Sequence, residues 1–125
     1  MAIELGLSGT ATMTVASADT ALSQGTGDVE VLSTPRLLQL MQEATMDAID
    51  GDLPAGVITA GLRVNLDHLH GSPVGSEVTA TAILTRIEGR RLVFETKAVS
   101  EVTTVGVGRI IRVQVDRERF LSNLG

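Results

Sequence analysis

The 125-residue sequence lacks cysteine, tryptophan and tyrosine, and its only aromatic side chains are Phe94 and Phe120. The absence of cysteine excludes a disulfide scaffold, a zinc site built on thiolates and a cysteine nucleophile. The shortage of aromatic rings does not exclude a core, since 43% of the residues are hydrophobic. That core must be built from Val, Leu, Ile, Ala and Met.

Positive charge is also scarce, because 10 Lys and Arg stand against 15 Asp and Glu, for a formal net charge of −5. No segment clusters basic residues as phosphate binding requires, so we expect no nucleic-acid partner. No apolar run approaches the roughly 20 residues that span a bilayer, and residues 1–5 lack the pattern of a secretory signal. These absences predict a cytoplasmic protein without a membrane partner, and the length fits one domain over residues 1–125.

One segment has a clear helical pattern. Thr34 is a favourable N-cap, and Pro35 suits the first helical position because it loses no hydrogen bond there. Gly51 and Pro54 mark the end of the helix. Apolar residues at helical spacing cover more than half of its circumference: Leu37, Leu38, Leu40, Met41, Ala44, Ala48 and Ile49. Such a helix must be enclosed by other elements.

Most of the remaining chain alternates between apolar and polar residues, as half-buried strands do. The predicted strands are residues 9–15, 57–68, 77–87, 91–99 and 104–115. Residues 17–28 read as a loop, and Glu88-Gly89-Arg90 reads as a hairpin connection. Consecutive strands without intervening helices pair antiparallel. We therefore predict an α+β domain in which a five-stranded antiparallel sheet is wrapped around one long central helix, in the order β-α-β-β-β-β.

Alternation also assigns a face to each side chain within these strands. Along 57–68 the apolar residues fall on one face: Ile58, Ala60, Leu62, Val64 and Leu66. Along the last strand, Ile111 and Val113 alternate with Arg112 and Gln114. The edges of such a sheet are open, which favours association of two copies through an edge or through the sheet face.

The candidate chemistry is concentrated at two histidines and at the start of the helix. His68 and His70 can ligate a metal only with a third ligand that the sequence does not obviously place, so no metal site is predicted. His68 is either a strand-end residue bonded to a backbone carbonyl or a general base, since an imidazole has a pKa of about 6.5. Thr34 is a helix cap, or a hydroxyl beside free backbone N–H groups that favour negative charge, or both.

Arg90 and Arg91 also have two interpretations. They form either a solvated hairpin end or a contact to a ligand phosphate.

Several short segments resemble, in their order and spacing, the hot-dog-fold thioesterases and in particular the fluoroacetyl-CoA thioesterase-like group. The resemblance extends from about Gly9 to Leu124. It implies a homodimer, possibly a tetramer, with acyl-CoA thioester sites at the subunit interface. It implies no cofactor apart from the coenzyme A of the substrate. The segments are Val31–Pro35, Leu40–Ala44, His68–Gly75, Ile87–Leu92 and Asp116–Phe120.

The catalytic set of that family resembles a threonine at the helix start, a carboxylate on the helix and a histidine after the next strand. By position these are Thr34, Gln42 and His68, and the glycine beside the acyl group is Gly61. Simple alternation would turn Gly61 and His68 to opposite faces, so a bulge between them is expected. The resemblance thus implies hydrolysis of a small or medium acyl-CoA thioester, with Arg90 and Arg91 as candidates for binding the CoA phosphates.

Gln42 departs from the family pattern, because the carboxylate follows one residue later at Glu43. Around the helix, Gln42 lies about 80° and Glu43 about 180° from Thr34 at 100° per residue. This favours Gln42 in the pocket and leaves Glu43 as the alternative. A glutamine can orient water or a carbonyl but cannot take up a proton. The alternative function is therefore an acyl-CoA-binding protein that is non-catalytic or very slow.

The second departure concerns the acyl group. The fluoroacetyl-specific enzyme of the family has an aromatic gate near the loop before the helix, whereas both Phe of this sequence lie further along the chain. Fluoroacetyl-CoA is therefore not the expected substrate.

Overall fold

The computed structural model describes residues 2–125 and has the predicted α+β architecture. The five strands form one antiparallel sheet in the order β1-β3-β4-β5-β2, with a long helix between β1 and β2 in the chain. The elements are β1 (Ser8–Thr14), a 3-10 turn (Ser17–Asp19), α1 (Ala21–Gln24), α2 (Thr34–Ile49), β2 (Val57–His68), β3 (Glu77–Glu88), β4 (Arg91–Ser100), β5 (Thr103–Asp116) and α3 (Arg117–Ser122). The predicted fold class and element order are confirmed.

The start of α2 differs from the prediction by one residue. The N-cap is Ser33, whose extended backbone precedes the helix and whose Oγ accepts a hydrogen bond from the Arg36 amide at 3.1 Å. Thr34 is therefore the first helical residue and Pro35 is the second. The interpretation of Thr34 as the cap is wrong. The consequence is functional, because the Thr34 hydroxyl is not used to hold the helix start.

The long helix α2 packs mainly against β1 and β3 and makes few contacts with β2. Gly9 permits the close approach of β1, since a Cβ there would lie 2.3 Å from the Ala48 amide nitrogen. Phe94 is fully buried and is the only aromatic residue of the core in the described part of the chain. The remaining core is aliphatic, as the composition predicted.

A bulge in β2 changes which side chains face α2. Gly61 pairs with Arg112 and Arg63 pairs with Ile111, so Leu62 is the extra residue. The expected bulge between Gly61 and His68 is confirmed. Before the bulge Gly61 faces the helix, and after it Val64 lies opposite the buried Ile110.

The structure corrects two of the predicted faces. Ile58 and Ala60 lie on the side of the sheet away from α2, because they precede the extra residue and alternate with Gly61. On β5 the buried residue is Arg112, while Ile111 and Val113 are half-buried on the opposite face. Alternation gave the period of β5 correctly, but the extra residue interrupts the period of β2, so Ile58 and Ala60 lie on the face opposite to Val64 and Leu66.

The elements that the sequence pattern missed are short. Residues 17–28 contain the 3-10 turn and α1 in addition to loop, and the chain ends in α3. In α3 the N-cap Asp116 accepts a hydrogen bond from the Arg119 amide at 2.9 Å. Within residues 2–125, no helix combines the length and hydropathy needed to cross a membrane.

The sheet leaves β1 and β2 as its two edges. On β2, Leu62 is 48% exposed and Val64 is 37% exposed. An edge of 12 residues with unpaired backbone groups and exposed apolar side chains favours pairing with another strand.

Candidate active site

The helix start and the end of β2 bring Thr34 and His68 together. The Oγ1 atom of Thr34 lies 2.8 Å from Nδ1 of His68, a hydrogen-bond distance. Helix α2 and strand β2 run in opposite directions, so the first residue of the helix lies beside the last residue of the strand. A hydroxyl and an imidazole at this separation have the geometry of a nucleophile and its base.

His68 is partly withdrawn from solvent, and its environment favours the neutral ring. Desolvation lowers the pKa of His68 below the ordinary value of 6.5, and a weaker backbone interaction with His70 opposes this shift. Nε2 of His68 is buried and has no hydrogen-bond partner among residues 2–125. A neutral imidazole with one unused nitrogen can accept or relay a proton near neutral pH.

The Thr34–His68 pair opens into a shallow cavity of about 260 Å³. Its lining includes Val31, Leu69 and Gly71 in addition to the pair. Thr34 is exposed, and the first backbone N–H groups of a helix have no partner within that helix. The hydroxyl, the imidazole and the positive end of the helix dipole therefore lie at one opening.

A second polar cluster lies further along the cleft between α2 and β2. Arg112 is 7% exposed, and its Nη1 donates to Oε1 of Gln42 at 2.9 Å. The same guanidinium donates from Nε to Thr59 Oγ1 at 2.9 Å and from Nη2 to the Thr59 carbonyl at 3.2 Å. Burial lowers the pKa of Arg112 below its ordinary value, but an arginine remains charged at neutral pH.

Gly61 lies directly against this second cluster. A Cβ on Gly61 would lie 3.2 Å from Oε1 of Gln42 and 3.9 Å from Nη1 of Arg112. The glycine therefore permits the close approach of the Gln42 amide to β2. Gln42 and Gly61, which the resemblance had assigned to one pocket, are neighbours in the structure.

The other candidate residues lie elsewhere. Glu43 is exposed, and its carboxylate accepts a hydrogen bond from Nε2 of Gln39 at 3.2 Å. Arg90 and Arg91 are exposed at the β3–β4 hairpin, and Arg90 lines a cavity of about 160 Å³ together with Arg119. None of these side chains contacts the Thr34–His68 pair.

Sequence reasoning missed Arg112 and Thr59. Arg112 stands among alternating polar residues of the last strand, which is the usual pattern of a solvated face. The signal that was available is strand alternation, because Arg112 lies two residues after Ile110, which is buried, and side chains two residues apart share a face of a strand.

Within one chain the two clusters are separate. Thr34 and Gln42 are eight residues apart, which is about 12 Å along the helix axis at 1.5 Å per residue. Gly61 and His68 are about 20 Å apart along β2 at roughly 3.3 Å per residue, allowing for the bulge. A small acyl group cannot contact both clusters of one subunit at once.

No group of three or more His, Asp or Glu side chains gathers into a metal-binding arrangement between residues 2 and 125. His68 is instead bonded to Thr34, and the second histidine, His70, is exposed.

Comparison with known proteins places this geometry in a family. The fluoroacetyl-CoA-specific thioesterase family matches residues 15–118. The chain belongs to this family, which is one of thioester hydrolases. A fluoroacetyl-CoA thioesterase from Streptantibioticus cattleyicolor is 33% identical over 91 residues, covering 73% of this chain and 66% of that enzyme. The match therefore spans about two thirds of the length of that enzyme.

Solved structures of the family have the same fold. The fluoroacetyl-CoA thioesterase superimposes with a TM-score of 0.88 at 26% identity, covering 98% of this chain and 95% of that chain. A hot-dog-like protein from Thermanaerovibrio acidaminovorans superimposes with a TM-score of 0.86 at 27% identity, covering 98% of this chain and 94% of that chain. The sequence resemblance to hot-dog thioesterases is thereby confirmed.

Proposed function

We propose that this protein is an acyl-CoA thioesterase that hydrolyses a small or medium acyl thioester. The observation that carries the proposal is the 2.8 Å separation of Thr34 Oγ1 and His68 Nδ1 at the start of a helix. Thioester hydrolysis needs a nucleophile, a base and a positive field for the oxyanion of the tetrahedral intermediate. Thr34, His68 and the positive end of the α2 dipole supply these three groups.

Two proton routes fit this arrangement. When His68 is protonated on Nε2, Nδ1 takes the Thr34 proton while Oγ1 attacks the thioester carbon. The C–S bond then breaks, the CoA sulfur takes the proton from the imidazolium, and water hydrolyses the threonyl ester. When His68 is protonated on Nδ1, that N–H donates to Thr34, and Nε2 takes a proton from water that attacks the thioester directly. The C–S bond then breaks, and the CoA sulfur takes that proton back from Nε2. Both routes depend on a neutral His68, which its desolvation favours.

The second part of the proposal is a homodimer whose subunits share each site. Two copies of the open β2 edge can pair antiparallel about a two-fold axis. Each pairing then occurs twice, because residue i of one subunit faces residue j of the other and residue j faces residue i. With an axis between Val64 and Asn65, Gly61 of one subunit lies opposite His68 of the partner subunit. This register joins the Gln42–Gly61 cluster of one subunit to the Thr34–His68 pair of the other. A tetramer would need a further contact, through the sheet face.

The substrate assignments follow from the same surroundings. The Thr34–His68 cavity is small, and the loop before α2 carries no aromatic side chain, so we propose a small or medium acyl group other than fluoroacetyl. Arg90, with Arg119 beside it at the small cavity, is a candidate for the CoA phosphates. Arg91 is a weaker candidate, because it lies outside that cavity.

Gln42 supports one alternative, an acyl-CoA-binding protein without useful turnover. Its amide is held by Arg112 and cannot act as a base. In that case Gln42→Glu should create hydrolysis that the parent protein lacks. Ordinary turnover by the parent would exclude this alternative.

The test is release of CoA thiol from a panel of acyl-CoA esters by the purified protein and the His68→Ala variant. We expect hydrolysis by the parent and a loss of kcat/KM of about 10²–10⁴-fold in His68→Ala. Equal turnover by His68→Ala would contradict the role of His68.

A further inference from the structure

Asp19, the last residue of the 3-10 turn, holds the start of α2 through three hydrogen bonds. Its carbonyl accepts from the Ser33 amide at 2.9 Å. Its carboxylate accepts from Nε of Arg36 at 3.2 Å and from the Ala16 amide at 2.8 Å. Asp19 therefore fixes the residue immediately before Thr34 and also the first turn of the helix that follows it.

The Asp19–Arg36 ion pair is more enclosed than the other two ion pairs among residues 2–125. The side chains of Arg36 and Asp19 are 18% and 21% exposed, whereas those of the other pairs are between 45% and 60% exposed. Nη1 of Arg36 is buried and has no hydrogen-bond partner among the described residues. Loss of the carboxylate would leave this largely buried charge uncompensated, which favours movement of Arg36 and of its helical turn toward solvent.

A second contact ties the same stretch of chain to the segment that follows His68. The Leu32 amide donates to the Ser72 carbonyl at 2.8 Å, and Leu32, Ser33 and Ser72 are all buried. Helix α2 makes few contacts with β2 itself. The distance between Thr34 and His68 therefore depends on these anchors of the helix start more than on packing between the helix and the strand.

We propose that Asp19 and Arg36 are positioning residues, which place the Thr34 hydroxyl against His68 by fixing the first turn of α2. Neither side chain lines the cavity of the pair, so both act through the backbone of the helix start and not on the substrate. A displacement of about 1 Å between reacting groups can lower a rate by about 10²-fold. The kinetic part of this inference rests on the proposed thioesterase function, whereas the surroundings of His68 can be measured without substrate.

The first test is the steady-state kinetics of Asp19→Ala, which removes the carboxylate from the 3-10 turn. We expect kcat for a hydrolysed acyl-CoA ester to fall by about tenfold or more while KM changes little, because the groups that contact substrate remain. Asp19→Asn keeps an acceptor for Arg36 and should lie between the parent and Asp19→Ala. Glu95→Ala is the matched control, since it removes the carboxylate of the exposed ion pair with Arg109 and should leave kcat unchanged.

The second test observes the imidazole directly and needs no turnover. The chain has two histidines, His68 and His70, so a His70→Gln variant assigns both ring resonances in an NMR titration. Desolvation lowers the pKa of His68 in the parent, and displacement of the helix start would admit water to the ring. In Asp19→Ala the pKa of His68 should therefore rise toward 6.5, whereas Glu95→Ala should keep the parent value.

An unchanged pKa of His68 in folded Asp19→Ala overturns the inference, and so does an unchanged kcat when the parent is active. An equal loss of kcat in Glu95→Ala also overturns it, because the effect would then not be specific to the helix start. If Asp19→Ala does not fold, Asp19→Asn takes its place under the same criteria. If the parent hydrolyses no ester, the thioesterase proposal fails, and the titration of His68 alone decides whether Asp19 and Arg36 position the helix start.

Discussion

Thr34, the first residue of α2, contacts His68, and eight residues further along the helix Gln42 contacts Arg112. Both ends bury a basic side chain beside an uncharged partner, at 2.8 Å for Thr34–His68 and 2.9 Å for Gln42–Arg112. Their responses to burial differ. An imidazole releases its proton when it is desolvated, whereas a guanidinium does not.

This difference determines whether each side chain can exchange a proton near neutral pH. The His68 end becomes neutral and can move a proton, and it leaves Nε2 without a partner within the described residues. The Arg112 end stays charged and is stabilised by acceptors on Thr59 and Gln42. A buried group that can change its protonation suits catalysis, and one that cannot suits the binding of an anion.

The largest effect should come from removing the hydroxyl at the His68 end. Thr34→Ala should lower kcat/KM for a hydrolysed acyl-CoA by about 10²–10⁴-fold, because the partner of His68 is lost. Thr34→Ser keeps a hydroxyl and should retain much of the activity. The measurement is steady-state release of CoA thiol.

Ser33→Ala is the control at the adjacent hydroxyl. It removes the N-cap bond to Arg36 and should lower the free energy of unfolding by about 1 kcal/mol while hydrolysis continues. Full activity in Thr34→Ala would contradict a catalytic role of the Thr34 hydroxyl.

A smaller effect, on stability, is expected at the other end. Arg112→Met leaves the Thr59 carbonyl and the Gln42 amide oxygen without their donor, which should lower the free energy of unfolding by about 1–3 kcal/mol in a denaturant titration. Arg109→Met is the control, because Arg109 lies on the same strand and pairs with Glu95 at the surface. Equal stability of the two variants would mean that the buried hydrogen bonds of Arg112 contribute no more than a surface pair.

The smallest effect concerns pH. Since the pKa of His68 is below 6.5 in the folded protein, kcat/KM should stay constant above pH 6.5 and decrease only as pH falls through that lower value. The unfolded state takes up the proton at a higher pH than the folded state. The stability that neutral His68 contributes is therefore present above pH 6.5 and lost as pH falls.

His68→Gln should show a shallower decrease of the unfolding free energy over the same pH range, measured by denaturant titration at several pH values. An identical pH dependence in the parent and in His68→Gln would assign the transition to another group.

The order of elements and the bounds of the strands were predictable from the sequence to within a residue or two, because alternation and helical spacing are local properties. Residues 57–68 were predicted as a strand and form β2 with the same bounds. The placement of Gln42 rather than Glu43 toward the cleft also followed from helix geometry alone. Helix α3 was missed because six residues give too little periodicity to detect.

The role of Arg112 was not predictable from local pattern. Arg112 shares a face of β5 with the buried Ile110, but alternation alone does not tell which face of the strand packs against the helix. Ser33 was missed as the cap for a related reason, since Ser33 and Thr34 are chemically similar and only backbone geometry separates them.

The bulge at Leu62 also determines how this strand tolerates sequence change. Loss of the extra residue Leu62 would leave Gly61 opposite Arg112 and Val64 opposite Ile110, so the later side chains of β2 would keep their faces. Insertion of one residue in the regular part of the strand after Val64 would instead turn the His68 imidazole away from Thr34. The bulge can therefore absorb the loss of a residue, whereas the regular part of the strand cannot absorb a gain.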